Sequence, residues 1–285
     1  SDLNKLVINT FIIQSHPSQP GAVIVDMLIE NTAQFLYDNG YILTPDIFPV
    51  LNQMKPTLNG ELQLTDALNI LAKKGKVIAY KFMEVLKEAG YTTGAFGKWG
   101  LGYPGSEGSP NKQGFDQFYG YNCQRHAHHY YSNYMRENDD SVTLYGNLKP
   151  PFKEYSADVI SAKALEFIDN NKNKPFFLWL AYNAPHSPFH LPPSNLHSYT
   201  ELKGIPADTA SSVIPYFKAM SEALDKEIGR LFDTLQAHNI MDSTDIIFIG
   251  DNSSDMKVSQ VKGGAKGGIS QEGISVPFII SGPSV

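Results

Sequence analysis

Runs of apolar residues, separated by turn-forming residues, divide the chain into alternating strands and helices. The uninterrupted apolar runs at residues 175–182 and 245–249 are typical of strands that are buried on both faces of a parallel sheet. Apolar residues recur instead at helical spacing over residues 156–170 and 213–237. This alternation predicts an α/β fold with a mostly parallel sheet flanked by helices.

Weaker patterns fill the rest of the chain. They predict helices over residues 23–37, 64–74 and 83–89, and short strands over 77–82 and 93–96. Residues 103–155 are rich in Gly, Pro, Asn and aromatic residues and show little periodicity, which predicts a long irregular segment. Such a segment in a compact domain is usually functional.

Composition excludes several classes of partner. The net charge of -6 and the pI of about 5.7 leave no basic surface for nucleic acid, so we expect no nucleic-acid partner. No apolar run reaches the roughly 18 residues of a membrane helix, and the first residues do not open a signal peptide. Cys123 is the only cysteine, which rules out a disulfide within the chain.

Asp251 and Asn252 follow the apolar run at 245–249 after one residue, Gly250, which lets the chain turn. In open α/β sheets ligands bind at the carboxyl ends of the strands, and carboxylate and amide oxygens suit a hard cation such as calcium or magnesium. The alternative is an Asx turn, in which one of these side chains bonds its own backbone two residues further on.

Lys98, His186 and Lys266 stand in similar positions, beside predicted strand ends or in glycine-rich and proline-rich loops. Taken singly, the lysines are as easily solvated surface residues and the histidine a capping or core residue. Taken together with a metal pair, they predict a site for a tetrahedral sulfuryl or phosphoryl group, with all of them on one edge of the sheet.

From about Met83 to Pro283 the chain resembles bacterial arylsulfatases of the alkaline-phosphatase superfamily. Five segments carry the resemblance in the family's order: "EVLKEAGYTTGAFGKWGLG", "GSPNKQGFDQFYGYNCQRHAHHYY", "PFFLWLAYNAPHSPFHLP", "IIFIGDNSSD" and "EGISVPFIISGP". The resemblance implies hydrolysis of a sulfate ester with a divalent metal, calcium before others. It also implies a sulfated small molecule or sulfated glycan as substrate and a periplasmic or secreted protein.

The same resemblance assigns roles to individual residues. Asp251 and Asn252 match the metal-binding pair, and His128 matches a substrate-side position. The residues that match those holding the sulfate ester, which are the catalytic candidates, are Lys98, His186 and Lys266.

The sulfatase nucleophile is a formylglycine, made from the Cys or Ser of a C/S-x-P-x-R segment. No such segment and no N-terminal pair of aspartates are visible in this sequence, so we expect a sulfatase-like fold that is incomplete on its N-terminal side. Gln124 and Arg125 follow Cys123 without the required proline. Cys123 is therefore expected to be a small buried residue.

Residues 40–82 are similar to a late part of UTP:glucose-1-phosphate uridylyltransferases, around the sequence "GELQLTDA". Glu61 and Asp66 are candidate sugar-side residues there, or acids that stabilise a helix N-terminus. The sequence thus predicts a nucleotidyltransferase-like segment at 1–82 and a sulfatase-like domain at 83–285.

Three functions follow from these patterns. The first is sulfatase-type hydrolysis, the second is binding of a sulfated glycan without chemistry, and the third is UTP-dependent sugar nucleotidyl transfer. The second becomes the stronger alternative if the nucleophile is absent.

Overall fold

A computed structural model of the chain describes residues 10–15, 82–206, 209–251, 258 and 276–284. Eight strands are formed: β1 (Thr10–Ser15), β2 (Thr92–Lys98), β3 (Gln117–Tyr121), β4 (Tyr134–Glu137), β5 (Asp140–Thr143), β6 (Phe176–Ala181), β7 (Thr244–Ile249) and β8 (Phe278–Ser281). The α-helices are α1 (Phe82–Glu88), α2 (Ser156–Asn171) and α3 (Ala210–Ala237). The helices expected over 23–37 and 64–74 lie outside the described residues, as does the strand expected over 77–82 except for Phe82, which begins α1.

All eight strands belong to one sheet, in the order β5-β4-β3-β2-β6-β1-β7-β8. Strands β3, β2 and β6 run parallel to one another. Strand β1 is antiparallel to both β6 and β7, so β7 points in the same direction as β6. The remaining pairings, β3–β4, β4–β5 and β7–β8, are antiparallel.

The α/β class predicted from the sequence is confirmed, and the sheet is mixed. Its parallel pairings are those among the three strands β3, β2 and β6. On either side of this group, β4 and β1 pair with it in the antiparallel sense. The prediction of a mostly parallel sheet holds for that group, whereas β1, β4, β5 and β8 pair in the antiparallel sense. Strand β1 comes from the predicted N-terminal segment and joins the same sheet between β6 and β7.

Strand β6 is buried along its whole length, as its unbroken apolar sequence predicts. Its side chains alternate between two clusters, as the two-residue period of a strand requires. Leu178 and Leu180 pack with Phe167 of α2 on one face of the sheet. Phe177 and Trp179 pack on the other face, in a cluster that contains Leu86 of α1.

Residues 103–155 contain more regular structure than the sequence predicts. Strands β3, β4 and β5 lie there, each five residues long or shorter, with Asn138 turning the β4–β5 hairpin in a left-handed conformation at a φ of 53°. Elements this short do not complete enough repeats to produce a visible periodicity. The prediction of an irregular segment was wrong for these strands. None of the helices in the described ranges has both the length and the apolar character needed to cross a lipid bilayer.

Candidate functional site

Four of the residues singled out from the sequence follow strands that point in the same direction. Lys98 ends β2, His128 lies in a 3-10 helix (His126–His128) after β3, His186 follows β6, and Asp251 follows β7. Because β2, β3, β6 and β7 share one direction, these residues belong to loops and ends at one edge of the sheet. This edge, the carboxyl edge, is where ligands bind in open α/β sheets.

His128 and His186 are in direct ring contact. Their ring centroids lie 4.9 Å apart, and the rings are inclined by 17°, a stacked arrangement. Lys98 and Asp251 are each partly buried at the same edge. The other two predicted site residues, Asn252 and Lys266, lie outside the described residues.

The His186 ring is held in a defined tautomer. Its Nδ1 lies 2.5 Å from the carbonyl oxygen of Ser187, and because a carbonyl only accepts, Nδ1 must carry the proton. In the neutral ring Nε2 is then the basic nitrogen. His186 can therefore accept or donate a catalytic proton at Nε2.

Tyr130 fixes the backbone of the loop that carries His186. Its buried hydroxyl lies 2.6 Å from the carbonyl oxygen of Asn183 and 2.7 Å from that of His186. Two carbonyls three residues apart are thus held by one side chain, which sets the course of the loop between them.

Asn183 connects this loop to the 3-10 helix that carries His128. Its Nδ2 donates to the carbonyl oxygen of Ala127 at 2.7 Å, and its Oδ1 accepts from the Ser156 hydroxyl at 3.2 Å. The segments that carry the two stacked histidines are therefore cross-linked through a buried amide. Neither Tyr130 nor Asn183 was identified from the sequence, where a buried Tyr and an Asn after a strand look like ordinary core and turn residues.

Glycines let β2 approach its neighbours very closely just before Lys98. Gly97 has a φ of 114°, and a Cβ built on it would lie 2.1 Å from the Ala181 carbonyl oxygen of β6. A Cβ on Gly120 of β3 would lie 2.0 Å from the Gly97 carbonyl oxygen. Only glycine permits so close an approach, and what approaches is the backbone of the adjacent strands.

Two cavities open beside the 3-10 helix. His128 lines one of about 380 Å³, together with Val213 of α3 and residues of the loops before it: Ser187, Pro188, Phe189, Ile205 and Pro206. His126 lines the other, of about 540 Å³, which lies among the loops after β2 and β3. The 3-10 helix thus contributes one histidine to each cavity.

His126 differs from the stacked pair in its surroundings. Its Nε2 lies 2.5 Å from the Ser132 hydroxyl, and its ring stacks on Tyr134 with 4.2 Å between centroids. Burial, with smaller contributions from His129 and Arg136, lowers the pKa of His126 to about 4. The ring is neutral at physiological pH and acts as part of the packing.

The described residues do not by themselves assemble a metal site. Within the described ranges no group of three or more His, Cys, Asp or Glu side chains is placed to hold a metal ion. Asp251 offers a carboxylate, which suits a hard cation, and lies at the carboxyl edge of the sheet. Its expected partner Asn252 is not among the described residues.

Cys123 is exposed, and the prediction that it is buried was wrong. It lies at the turn after β3, where the side chain of the preceding residue, Asn122, is buried instead. The sequence beside Cys123 lacks the formylglycine pattern, and its exposure does not change that.

Solved structures named as sulfatases share this α/β fold, which is that of the alkaline-phosphatase superfamily. A family model described as Sulfatase matches residues 50–285. The chain therefore belongs to the sulfatase family. The match begins before the boundary that we predicted between Phe82 and Met83, and the resemblance of residues 40–82 to a uridylyltransferase stays a prediction.

Individual relatives agree with this assignment. The chain is 25% identical over 248 residues to an uncharacterized sulfatase, YdeN, of Escherichia coli, covering 76% of this chain and 40% of that protein. It is 28% identical over 298 residues to an arylsulfatase of the sea urchin Hemicentrotus pulcherrimus, covering 94% of this chain and 50% of that protein. The crystal structure of Ps i-CgsB in complex with k-i-k-neocarrahexaose superposes with a TM-score of 0.58 at 27% identity, covering 70% of this chain and 47% of that one. The chain thus spans half or less of the length of these relatives.

Proposed function

We propose that the protein containing this chain hydrolyses a sulfate ester, with the active site at the carboxyl edge of the sheet. The stacked pair of His128 and His186 carries the proposal, because it brings together two residues that the sulfatase resemblance assigns to the substrate. Membership of the sulfatase family supports this reaction class.

Lys98 and His186 have complementary tasks in such a site. The ammonium group of Lys98, at the end of β2, offsets the negative charge of a sulfate ester and of its transition state. His186, with Nδ1 protonated, exchanges a proton at Nε2 with the reacting oxygen atoms. His128 keeps the His186 ring in place by stacking and contacts the sugar or aryl group that carries the sulfate.

We propose a metal and a formylglycine nucleophile because the chain belongs to the sulfatase family. Sulfatases generally use a metal and formylglycine, and we assign a divalent metal, calcium before others, to Asp251 and Asn252, with Lys266 as a further sulfate ligand. Such a metal would supply positive charge to the sulfate oxygens. Among the described residues Asp251 alone represents this set.

A sulfated glycan is the substrate class that we favour over a simple aryl sulfate. A relative of known structure, Ps i-CgsB, was crystallised in complex with k-i-k-neocarrahexaose, an oligosaccharide by its name. We also propose, on the family resemblance alone, a periplasmic or secreted location.

Binding of a sulfated glycan without hydrolysis is the second candidate. It is favoured by the lack of a C/S-x-P-x-R segment in the sequence. An anion site of this kind retains affinity when the nucleophile is missing.

Sulfate release from a chromogenic aryl sulfate and from a sulfated monosaccharide, with added calcium or magnesium, separates these functions. We expect turnover that is lost in His186→Ala and kept in His238→Ala. His238 follows α3 and contacts Asp169 of α2, so it serves as the control. Binding of the sulfated sugar without turnover would establish the second candidate. UTP-dependent release of pyrophosphate would instead establish the transferase predicted from residues 40–82.

A further inference from the structure

The larger of the two cavities, which we call the β2–β3 cleft, is not used by the proposed reaction. Its volume is about 540 Å³, and it opens between the loop that follows β2 and the loop that follows β3. Side chains of β4 close one side of it. Its lining residues are Gly100, Leu101, Gly102, Tyr103, Pro104, Asn122, Cys123, Gln124, Arg125, His126, Tyr134 and Arg136.

The β2–β3 cleft is positively charged. Arg125 and Arg136 line it, no Asp or Glu is among its lining residues, and His126 is neutral at pH 7. Arg136 lies over the ring of Tyr134, with 5.8 Å from its guanidinium carbon to the ring centroid, and donates to the backbone oxygen of Asp139 at 3.3 Å. Neither arginine forms an ion pair with any carboxylate of the described residues.

Asn122 gives the cleft an unsatisfied polar group. The residue is only 8% exposed, and neither Nδ2 nor Oδ1 of its side chain has a hydrogen-bond partner within the described part of the chain. A buried amide without partners is costly, and native proteins rarely keep one without a reason. Asn122 lies in the wall of the cleft, and its amide atoms are covered, so a ligand with both donor and acceptor groups, such as a sugar, satisfies them once the side chain turns toward the cleft.

The position of the cleft relates it to the proposed sulfate site. The 3-10 helix that places His126 in the cleft places His128 against His186, so one short helix borders both sites. Exposed Tyr103 and partly buried Tyr134 offer aromatic surface of the kind that packs on sugar rings. A ligand that carries one anionic group to each site therefore has to reach across this 3-10 helix.

We propose that the β2–β3 cleft is a second anion subsite, which binds the carboxylate or sulfate of a neighbouring sugar in the same glycan. Arg125 and Arg136 hold the anionic group, and Asn122 bonds a hydroxyl of the same sugar. This inference rests on the proposed function in taking the His128–His186 region as the first sulfate site. It makes the substrate a polyanionic oligosaccharide.

Calorimetric binding of two disaccharides with the same backbone tests the subsite, one carrying a single sulfate and the other a sulfate on each sugar. We expect the wild-type protein to bind the disulfated sugar roughly tenfold more tightly, a preference that corresponds to one charge-assisted contact. Arg125→Gln should reduce that preference to about twofold or less, and Asn122→Ala should weaken binding of both disaccharides, since both carry the hydroxyl. Lys174→Gln should leave the preference for the disulfated sugar unchanged. This exposed cation lies just before β6 and therefore at the opposite edge of the sheet. Because Arg125 is exposed, its variant also serves if Asn122→Ala folds poorly.

A third disaccharide, with a sulfate on one sugar and a carboxylate on the other, distinguishes the two anionic groups. If it binds as tightly as the disulfated sugar, the cleft accepts a uronate as well, and if it binds like the monosulfated sugar, the cleft requires sulfate. Equal binding of all three by the wild-type protein overturns the proposal. So does a preference that survives in Arg125→Gln.

Cys123 provides a readout that does not depend on activity. It is the only cysteine in the chain, it is exposed, and it lines the cleft. The disulfated disaccharide should slow its alkylation by iodoacetamide several-fold, while the monosulfated one should not. Protection of Cys123 without any sulfate-ester hydrolysis would support the subsite and refute the proposed reaction. Hydrolysis without protection would keep the reaction and refute the subsite.

Discussion

His128 and His186 stack face to face, with 4.9 Å between their ring centroids, although one follows β3 and the other follows β6. The contact depends on three buried groups that join the two loops: the hydroxyl of Tyr130, the amide of Asn183 and the carbonyl of Ala127. The site is therefore built from loop geometry that only the folded sheet creates.

Substitution of the two histidines should be strongly non-additive. We expect His128→Ala and His186→Ala each to lower the rate of sulfate-ester hydrolysis at least about tenfold, and the double variant to be little worse than His186→Ala, because each ring orients the other. A double-mutant cycle on kcat/KM measures this coupling. Strictly additive losses would show that the rings act independently.

Tyr130→Phe should impair the site through the backbone. Two carbonyl oxygens lose their common donor, so we expect the free energy of unfolding to fall by about 1 to 3 kcal/mol and turnover to fall with it. The matched control is Tyr182→Phe, which removes a buried hydroxyl that bonds Ser161 of α2 instead. Urea denaturation and turnover should show a comparable loss of stability in the control but nearly unchanged activity.

Gly97→Ala should disrupt the pairing of β2 with β6. The new Cβ would lie 2.1 Å from the Ala181 carbonyl oxygen, and the φ of 114° is unfavourable for any L-residue, so we expect a loss of more than about 3 kcal/mol. Gly90→Ala separates the two causes, because Gly90 has a φ of 85° but no atom within 4 Å of the added Cβ. Its cost should stay near 1 kcal/mol. Similar losses in both variants would mean that the close approach of the strands is not energetically important.

Acid should weaken the fold through His126. Its pKa of about 4 in the folded protein lies below the ordinary 6.5, so below pH 6.5 the unfolded chain binds the proton more readily. Stability is therefore complete above about pH 6.5 and is lost as the pH falls toward 4, by roughly 2 kcal/mol after allowance for solvent screening. Unfolding free energies measured between pH 7 and 4.5 should fall less steeply in His126→Gln than in the wild-type protein.

Asp116→Asn is the control for that pH window. Burial opposes ionisation of Asp116, but bonds from Thr93 and Lys87 outweigh it, so the pKa of this carboxyl is lowered from 3.8. Its contribution is lost only at still lower pH. The variant should be less stable than wild type throughout, with the same slope between pH 6.5 and 4.5.

Asp251→Ala should abolish whatever metal-dependent affinity the protein has for a sulfated monosaccharide. Without the metal, the lysine charges alone are screened by water and salt over about 8 to 10 Å. Cys123→Ser should leave that affinity unchanged, since this exposed thiol has no part in the metal site. Isothermal titration with and without calcium compares the two variants. If Asp251→Ala still binds the sugar in a calcium-dependent way, Asp251 is not a metal ligand, and the Asx turn is the better interpretation of "IGDNSSD".

The long apolar segments were predictable because each spans several repeats of its element, two residues per repeat in a strand and 3.6 per turn in a helix. Strand β6, helix α2 and strand β7 begin and end within a residue or two of their predicted bounds. The common edge of Lys98, His186 and Asp251 was also predictable, since residues directly after parallel buried strands lie at the carboxyl ends of those strands. Strands β3 to β5 were not, because their periodicity is too short to register and their pairing is decided by distant partners.

Side-chain partners were the least predictable part. Asn122 and Cys123 are adjacent and both small, yet one is buried in the cleft wall and the other is exposed. Which of the two points inward depends on how the chain leaves β3, and no sequence pattern reports that. The same holds for Tyr130, whose two carbonyl partners lie far along the chain.

The placement of β2 between β3 and β6 has a consequence for synthesis on the ribosome. Strand β2 can pair with β3 soon after both emerge, but its other edge has to wait until the hairpin, helix α2 and β6 have also been translated. Until then one edge of a buried strand and the apolar face beside it stay open to other nascent chains, which is the condition under which aggregation competes with folding. The end of β2 that carries Lys98 and the end of β6 that precedes His186 therefore come together late in translation, and slowing elongation between β3 and β6 should lower the yield of soluble protein more than slowing it elsewhere.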